Sequence, residues 1–186
     1  MDNSSGSARV IPEIQDSIEL QDPFPNVTER YYTERYCIDE RGTSEDHIIL
    51  FHSNRLCLIT LAPTHPVFKR KITKIDYASG NVDRTKNKIS GKGKKGGQYL
   101  QENSTICSIF CEDGEVYKVK SNIKGKLVEV NERLLDNPSL LLHAPCAEGH
   151  LAIALPNISQ IDMWKEKFLT KQQYETHCNN LQTVQV

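Results

Sequence analysis

Residues 121–149 read SNIKGKLVEVNERLLDNPSLLLHAPCAEG, and this stretch decides the fold. After Gly125, Val128 and Val130 alternate with Glu129 and Asn131, the two-residue period of a half-buried strand. Leu127 breaks the alternation, which predicts a strand with some cover on both faces. Just upstream, Tyr117 and Val119 take one face of residues 115–120 while Lys118 and Lys120 take the other. Two such strands on either side of Gly125 predict a hairpin that turns at the glycine. An ordinary hairpin of some other all-β domain satisfies the same pattern.

The Gly125 turn, the run Leu127 to Asn131, then Leu134, Pro138 and the Pro145/Gly149 pair closely resemble the glycine cleavage H-protein and its lipoyl-domain relatives. The resemblance implies a mainly β fold, a barrel-sandwich hybrid, followed here by a C-terminal α-helix. In lipoyl-bearing relatives the carrier lysine sits at a hairpin tip, where its ammonium is exposed for acylation. Aligning Gly125 with the family's glycine puts that tip on Glu112-Asp113-Gly114-Glu115, so Gly114 stands where the lysine is expected. Asp-Gly is a strong signal for a type I′ turn, in which both central residues need positive φ. The hairpin is thus expected to be intact without its attachment point. Lys118 and Lys120 fall in mid-strand, away from a tip, so no lipoyl or biotinyl cofactor is expected.

The rest of the chain fits one domain with appendages. At 186 residues and 38% apolar content it holds enough for one core. Residues 1–28, polar with Pro12, Pro23 and Pro25, read as a disordered tail. The β domain is expected over 29–158. Apolar runs at 47–51 and 55–61, separated by Ser53-Asn54, read as buried strands, with further strands at 71–77, 105–111 and 151–155. Ser79-Gly80-Asn81 reads as a turn. Short strands punctuated by Gly and Pro indicate a sandwich or barrel rather than a parallel α/β sheet.

After Pro156 the period changes. Ser159-Gln-Ile-Asp162 reads as a capping box with Ser159 as N-cap, opening a helix over 159–178 whose Ile161, Trp164 and Phe168 pack on the domain. Lys165, Lys167 and Lys171 are expected to face water, and 179–186 to be a flexible tail.

No run of 18 apolar residues exists, so no membrane insertion is expected, and Met1 to Ala8 lacks the apolar core of a secretory signal. The expected location is cytoplasm and nucleus. In that reducing setting Cys37, Cys57, Cys107, Cys111, Cys146 and Cys178 are expected to be free thiols, and the sequons at Asn26, Asn103 and Asn157 idle. Cys107 and Cys111 with His143 or His150 lack the usual zinc spacing, so no metal site is expected. The six histidines include no H-E-x-x-H, and no serine stands in G-x-S-x-G. A Cys146 pair with His143 or His150 would need an activated thiol, and the expectation is a non-enzyme without catalytic residues.

Charge supplies the one surface feature. Between Lys69 and Lys95 stand ten Lys or Arg and two acids, against a whole-chain net charge of −1. Within it the 84–97 loop carries Arg84, Lys86, Lys88, Lys92, Lys94 and Lys95, with glycines dense enough to predict an exposed, mobile segment. These six are the candidate macromolecule-binding residues. No aromatic is interleaved among them, so sequence-independent RNA or DNA binding by electrostatics is the most they support with nucleic acid. The Gly91-to-Gly97 run lacks the order of a nucleotide-phosphate loop.

Taken together, the lysine-less hairpin, the basic loop, the Asn131-to-Gly149 stretch and the Trp164 helix resemble the actin-binding transcription modulators, an H-protein-like family without a prosthetic group. The resemblance covers roughly residues 28–175. It implies binding to actin monomers and filaments, filament organisation and protrusion growth in actin-rich projections, and a nuclear presence in speckles linked to transcription. No binding residue carries over by position. Filament bundling by a small protein needs two contacts or self-association, so self-association is a further expectation. Two rivals stay open: a nucleic-acid-binding nuclear module, and an H-protein-like accessory domain.

Overall fold

In this computed structural model, residues 27–92 and 95–184 are described. The expected tail over 1–28 therefore lies, but for its last two residues, outside the described residues, as does Lys94 of the basic loop. A short helix, α1 (Val27–Tyr31), leads into eleven strands. These are β1 (Tyr32–Cys37), β2 (His47–His52), β3 (Cys57–Leu61), β4 (Ile72–Asp76), β5 (Ala78–Ser79), β6 (Val82–Asp83), β7 (Tyr99–Leu100), β8 (Thr105–Cys111), β9 (Val116–Lys120), β10 (Gly125–Val130) and β11 (Ala152–Pro156). Between β10 and β11 lie α2 (Arg133–Asp136) and α3 (Leu140–His143), and α4 (Ile161–Lys167) and α5 (Lys171–Val184) follow.

The strands form a six-stranded sheet, β1-β2-β3-β11-β10-β7, a three-stranded sheet, β4-β8-β9, and the small β5-β6 hairpin. All pairings are antiparallel. The core lies between the two larger sheets, where Ile49, Ile59 and Leu127 of one meet Ile75, Ile109 and Val119 of the other. This is the barrel-sandwich arrangement expected from the sequence.

The apolar runs of β2 and β3 are explained by a second cluster on the outer face of the large sheet. Ile49 and Phe51 point into the sandwich, while Ile48, Leu50 and Leu58 join Tyr36 and Tyr174 of α5 outside it. A strand covered on both faces reads as a continuous apolar run because neither face meets water. The Tyr36 and Tyr174 rings stack at 4.3 Å. The Tyr174 hydroxyl donates to Asp46 Oδ2 at 2.8 Å and meets Thr64 Oγ1, which fixes α5 against the β1–β2 connection.

Gly125 does not turn a hairpin. It opens β10, which pairs with β11 and β7, whereas β9 pairs with β8 in the other sheet. The chain changes sheets between them, through Asn122 at φ 57° and Ser121, whose buried hydroxyl donates to Ile123 O at 2.8 Å. Glycine is required at 125 for a different reason: a Cβ there would lie 2.7 Å from the Leu155 carbonyl oxygen, so any side chain would force β10 and β11 apart. The break in alternation at Leu127 is a β-bulge, with the register shifting between Leu127 and Glu129.

The remainder of the 121–149 stretch is an anchored cap over one end of the sandwich. The Asn131 amide donates to Glu148 O at 2.6 Å and His150 O at 2.9 Å, and Leu134 and Leu141 are fully buried beneath it. The Tyr77 hydroxyl reaches Leu151 O at 2.9 Å and Asn131 O at 3.2 Å, tying this cap to the end of β4.

The single helix expected over 159–178 is two. Residues 158–160 form a 3-10 turn, and neither Ser159 nor Gln160 makes a side-chain cap. The capping box lies eleven residues later, where Thr170 N donates to Gln173 Oε1 at 2.9 Å and Gln173 N to Thr170 Oγ1 at 3.4 Å, opening α5. Between the helices Phe168 is extended, and Leu169 exchanges two backbone hydrogen bonds with Tyr36, covering the edge of β1. Trp164 and Phe168 stack at 5.8 Å in the core as the periodicity predicts, and α5 carries the chain through residues read as a flexible tail. No helix among the described residues is long and apolar enough to cross a membrane.

Candidate functional site

The first candidate is the β8–β9 hairpin tip. Val116 pairs with Phe110, Cys111 N donates to Glu115 O at 2.9 Å, and Gly114 N donates to Cys111 O at 3.1 Å. Gly114 has φ 87°, but Asp113 is not among the residues with positive φ. The turn is therefore not type I′; one left-handed glycine closing a three-residue loop is the pattern of a glycine bulge.

A lipoyl group, which this fold family carries on a tip lysine, does not fit here. A prosthetic acyl group needs an exposed ε-ammonium, and the tip offers Glu112, Asp113, Gly114 and Glu115. Two of its three acidic side chains are engaged: Asp113 pairs with Arg70, and Glu112 Oε1 lies 2.9 Å from Lys71 Nζ. The tip is closed onto the start of β4 and presents no free amine.

The second candidate is the basic loop, and here the structure divides the six candidates. Arg84, read as a surface cation, is buried, at 8% exposure. Its Nε donates to Thr105 O at 3.1 Å and its Nη1 to Gln98 Oε1 at 2.8 Å, so its charge serves the fold. Lys86 is exposed with Asp83 at 3.3 Å. Lys88, Lys92 and Lys95 are exposed and have no ion pair among the described residues.

The loop is also less free than its glycines suggested. Ser90 and Lys95 exchange backbone hydrogen bonds at 2.9 Å each, which makes a short bridged arm. At its base, Asn87 donates through Nδ2 to Leu127 O and Val128 O, both at 3.0 Å, and accepts from Gln98 N at 2.8 Å. Gln98 in turn donates to Asp83 O at 2.8 Å. These bonds satisfy two carbonyls of β10 beside its bulge, so the strand and the base of the loop hold each other. Asn87 and Gln98 were not singled out from the sequence; two amides bracketing a Lys/Gly run were the available sign.

The catalytic and metal candidates do not assemble. All six cysteines are free, and no cluster of three or more His, Cys, Asp or Glu able to hold a metal occurs among the described residues. Burial pushes the Cys146 thiol up to about 11, the opposite of nucleophilic activation. Cys107 and Cys111 are buried core residues of β8.

Two buried histidines form the interior electrostatics. Burial, with His65 opposite, lowers His47 to about 3; burial lowers His65 to about 4 despite the nearby acids Glu45, Asp46 and Asp39. His65 Nδ1 accepts from Val67 N at 3.2 Å, capping a 3-10 turn, and its ring lies edge-on to Tyr117 at 5.2 Å.

The glycine cleavage H-protein family model matches residues 72–181, more than half of the chain. A solved glycine cleavage system H protein from Mycobacterium marinum has the same fold, with a TM-score of 0.53 over 78% of this chain and 96% of that one at 12% identity. Curated relatives are far more similar in sequence. Protein Abitram of Homo sapiens is 46% identical over 155 residues, covering 81% of this chain and 86% of its own. The Danio rerio protein of that name is also 46% identical, covering 81% and 88%, and the Dictyostelium discoideum protein is 41% identical, covering 76% and 78%. With such coverage on both sides, the chain belongs to the Abitram family, an H-protein-like family.

Proposed function

We propose that this protein is a non-enzymatic actin-binding module that influences filament organisation and protrusion growth in the cytoplasm and modulates transcription in the nucleus. Membership of the Abitram family supports the reading through the resemblance on which it was first drawn. The observation that carries it is the pinned base of the basic loop, where Ser90 bonds Lys95 and Asn87 clamps Leu127 O and Val128 O, with Lys88, Lys92 and Lys95 exposed and without an acidic partner among the described residues. Actin is acidic, and a fixed cluster of cations meets an acidic face without the ordering cost of a loose loop. The tip chemistry of a carrier is missing, which leaves contact with macromolecules as the activity of this scaffold.

The test is co-sedimentation with actin filaments across a salt series. Replacing Lys86, Lys88, Lys92, Lys94 and Lys95 by Gln is expected to weaken binding and flatten its salt dependence, because fewer screened charge contacts remain. Unchanged binding removes the arm as the contact. Adding RNA to the same assay reads out the rival use of these cations: displacement of the protein from filaments would mean that both ligands use one surface.

A further inference from the structure

A cleft of about 340 Å³ opens where β9 faces the β1–β2 connection, and it is lined by polar groups with an unusual division of labour. Sheet pairing leaves β9 with a neighbour on one side only, so Lys118 and Lys120 border this opening. Across it are His47 at the start of β2, Asn122 at the crossing between sheets, and Phe168 at the end of α4.

Most acids of the cleft are already engaged. Asp39 accepts from Arg41 Nε at 2.9 Å and from the backbone of Thr43, and Glu45 accepts from Arg41 and Thr43. Glu102 is held between Lys167 at 2.9 Å and Lys124 at 3.3 Å. Glu40 is the exception, at the exposed rim.

Other polar groups of the cleft are not engaged. His47 Nε2 and Asn122 Nδ2 are buried atoms with no hydrogen-bond partner, and His47 is only 7% exposed. Lys118 and Lys120 have no ion pair among the described residues. A buried polar atom without a partner is costly, so two of them beside two unpaired ammonium groups call for a ligand that completes the cleft. Asn122 lines the cleft at φ 57°, in the left-handed region that asparagine tolerates best among non-glycine residues.

We propose that this cleft binds a carboxylate: Lys118 and Lys120 neutralise its charge, the Asn122 amide and the His47 ring turn to meet its oxygens as it seats, and an adjoining apolar portion lies against Phe168 and Cys37. Such a carboxylate belongs either to a small organic acid or to an acidic side chain of a protein partner. The site is separate from the basic arm and does not depend on the actin reading.

The experiment is an NMR titration of the full chain, following the His47 ring and the Asn122 side-chain amide. Butyrate is expected to shift both saturably, and butyramide, the same shape without the charge, to leave them in place. Lys118→Met with Lys120→Met should weaken butyrate binding by roughly fivefold, the scale of a partly exposed charge contact. Asn122→Gly removes the donor while suiting the positive φ, and should weaken it as well. A blocked glutamate peptide is the second ligand: tighter binding than butyrate assigns the cleft to a protein side chain, and weaker binding to a small acid. Equal shifts from the acid and the amide, no saturable shift with any ligand, or undiminished binding in the variants would overturn the proposal.

Discussion

At the scale of single residues, the buried histidines make stability depend on acid in a direction that can be worked out. Both pKa values are lowered from 6.5, His65 to about 4 and His47 to about 3, so the unfolded chain takes up protons that the folded chain refuses. Stability from both is complete above about pH 6.5 and is lost as pH falls toward 4 and then 3, at roughly 2–3 kcal/mol each by about pH 4.5. Asp39 adds to the acid side: burial opposes its ionisation, but hydrogen bonds from Thr43 and Arg41 win and hold its carboxyl well below the usual range. Urea unfolding at pH 7 and at about pH 4.5 should show that loss, and His65→Gln should flatten the dependence between them. Gly125 makes a second residue-level prediction. Gly125→Ala should destabilise by about 1–3 kcal/mol through overpacking against Leu155, measured by thermal unfolding, even though alanine suits a strand better than glycine does. Its value in the sequence was legible as a special glycine, but periodicity along one segment cannot tell a turn from the close approach of a strand distant in sequence.

At the scale of elements, the apolar runs of β2 and β3, the Ser79-Gly80-Asn81 turn and the Trp164 stripe were legible because local pattern and burial agree there. What was not legible depends on partners far along the chain. The β9–β10 crossing follows from which sheet each strand joins, and the division of the C-terminal helix from the pairing of Leu169 with Tyr36. The Thr170/Gln173 box carries a sequence signature, yet the weaker one at Ser159 lay nearer the proline that ends β11. The arm's base gives the element-level prediction. Asn87→Ala removes bonds to Leu127 O, Val128 O and Gln98 N at once, and should cost about 1–3 kcal/mol. Hydrogen exchange should show faster exchange at Ser90, Lys95 and Gln98, with little change in β8 and β9. Equal protection in the variant would mean that the arm is not held by this clamp.

At the scale of the whole molecule, two sheets, a covering C-terminal helix and a closed acidic tip make an H-protein-like scaffold that offers surfaces rather than a swinging arm. Gly114 at the hairpin tip and the exposure of Lys86, Lys88, Lys92 and Lys95 were legible by position, while the burial of Arg84 was not, since a Lys/Arg run says nothing about which cation turns inward. The basic loop and the β9 cleft are built from different elements. The hairpin tip, Glu112 to Glu115, offers no lysine to which a prosthetic group could be joined. Intact-mass spectrometry of the protein isolated from its own cells tests the absence of such a group most directly. The expected spectrum shows no lipoyl or biotinyl increment on any lysine, while a stoichiometric increment mapped to this chain would contradict the account.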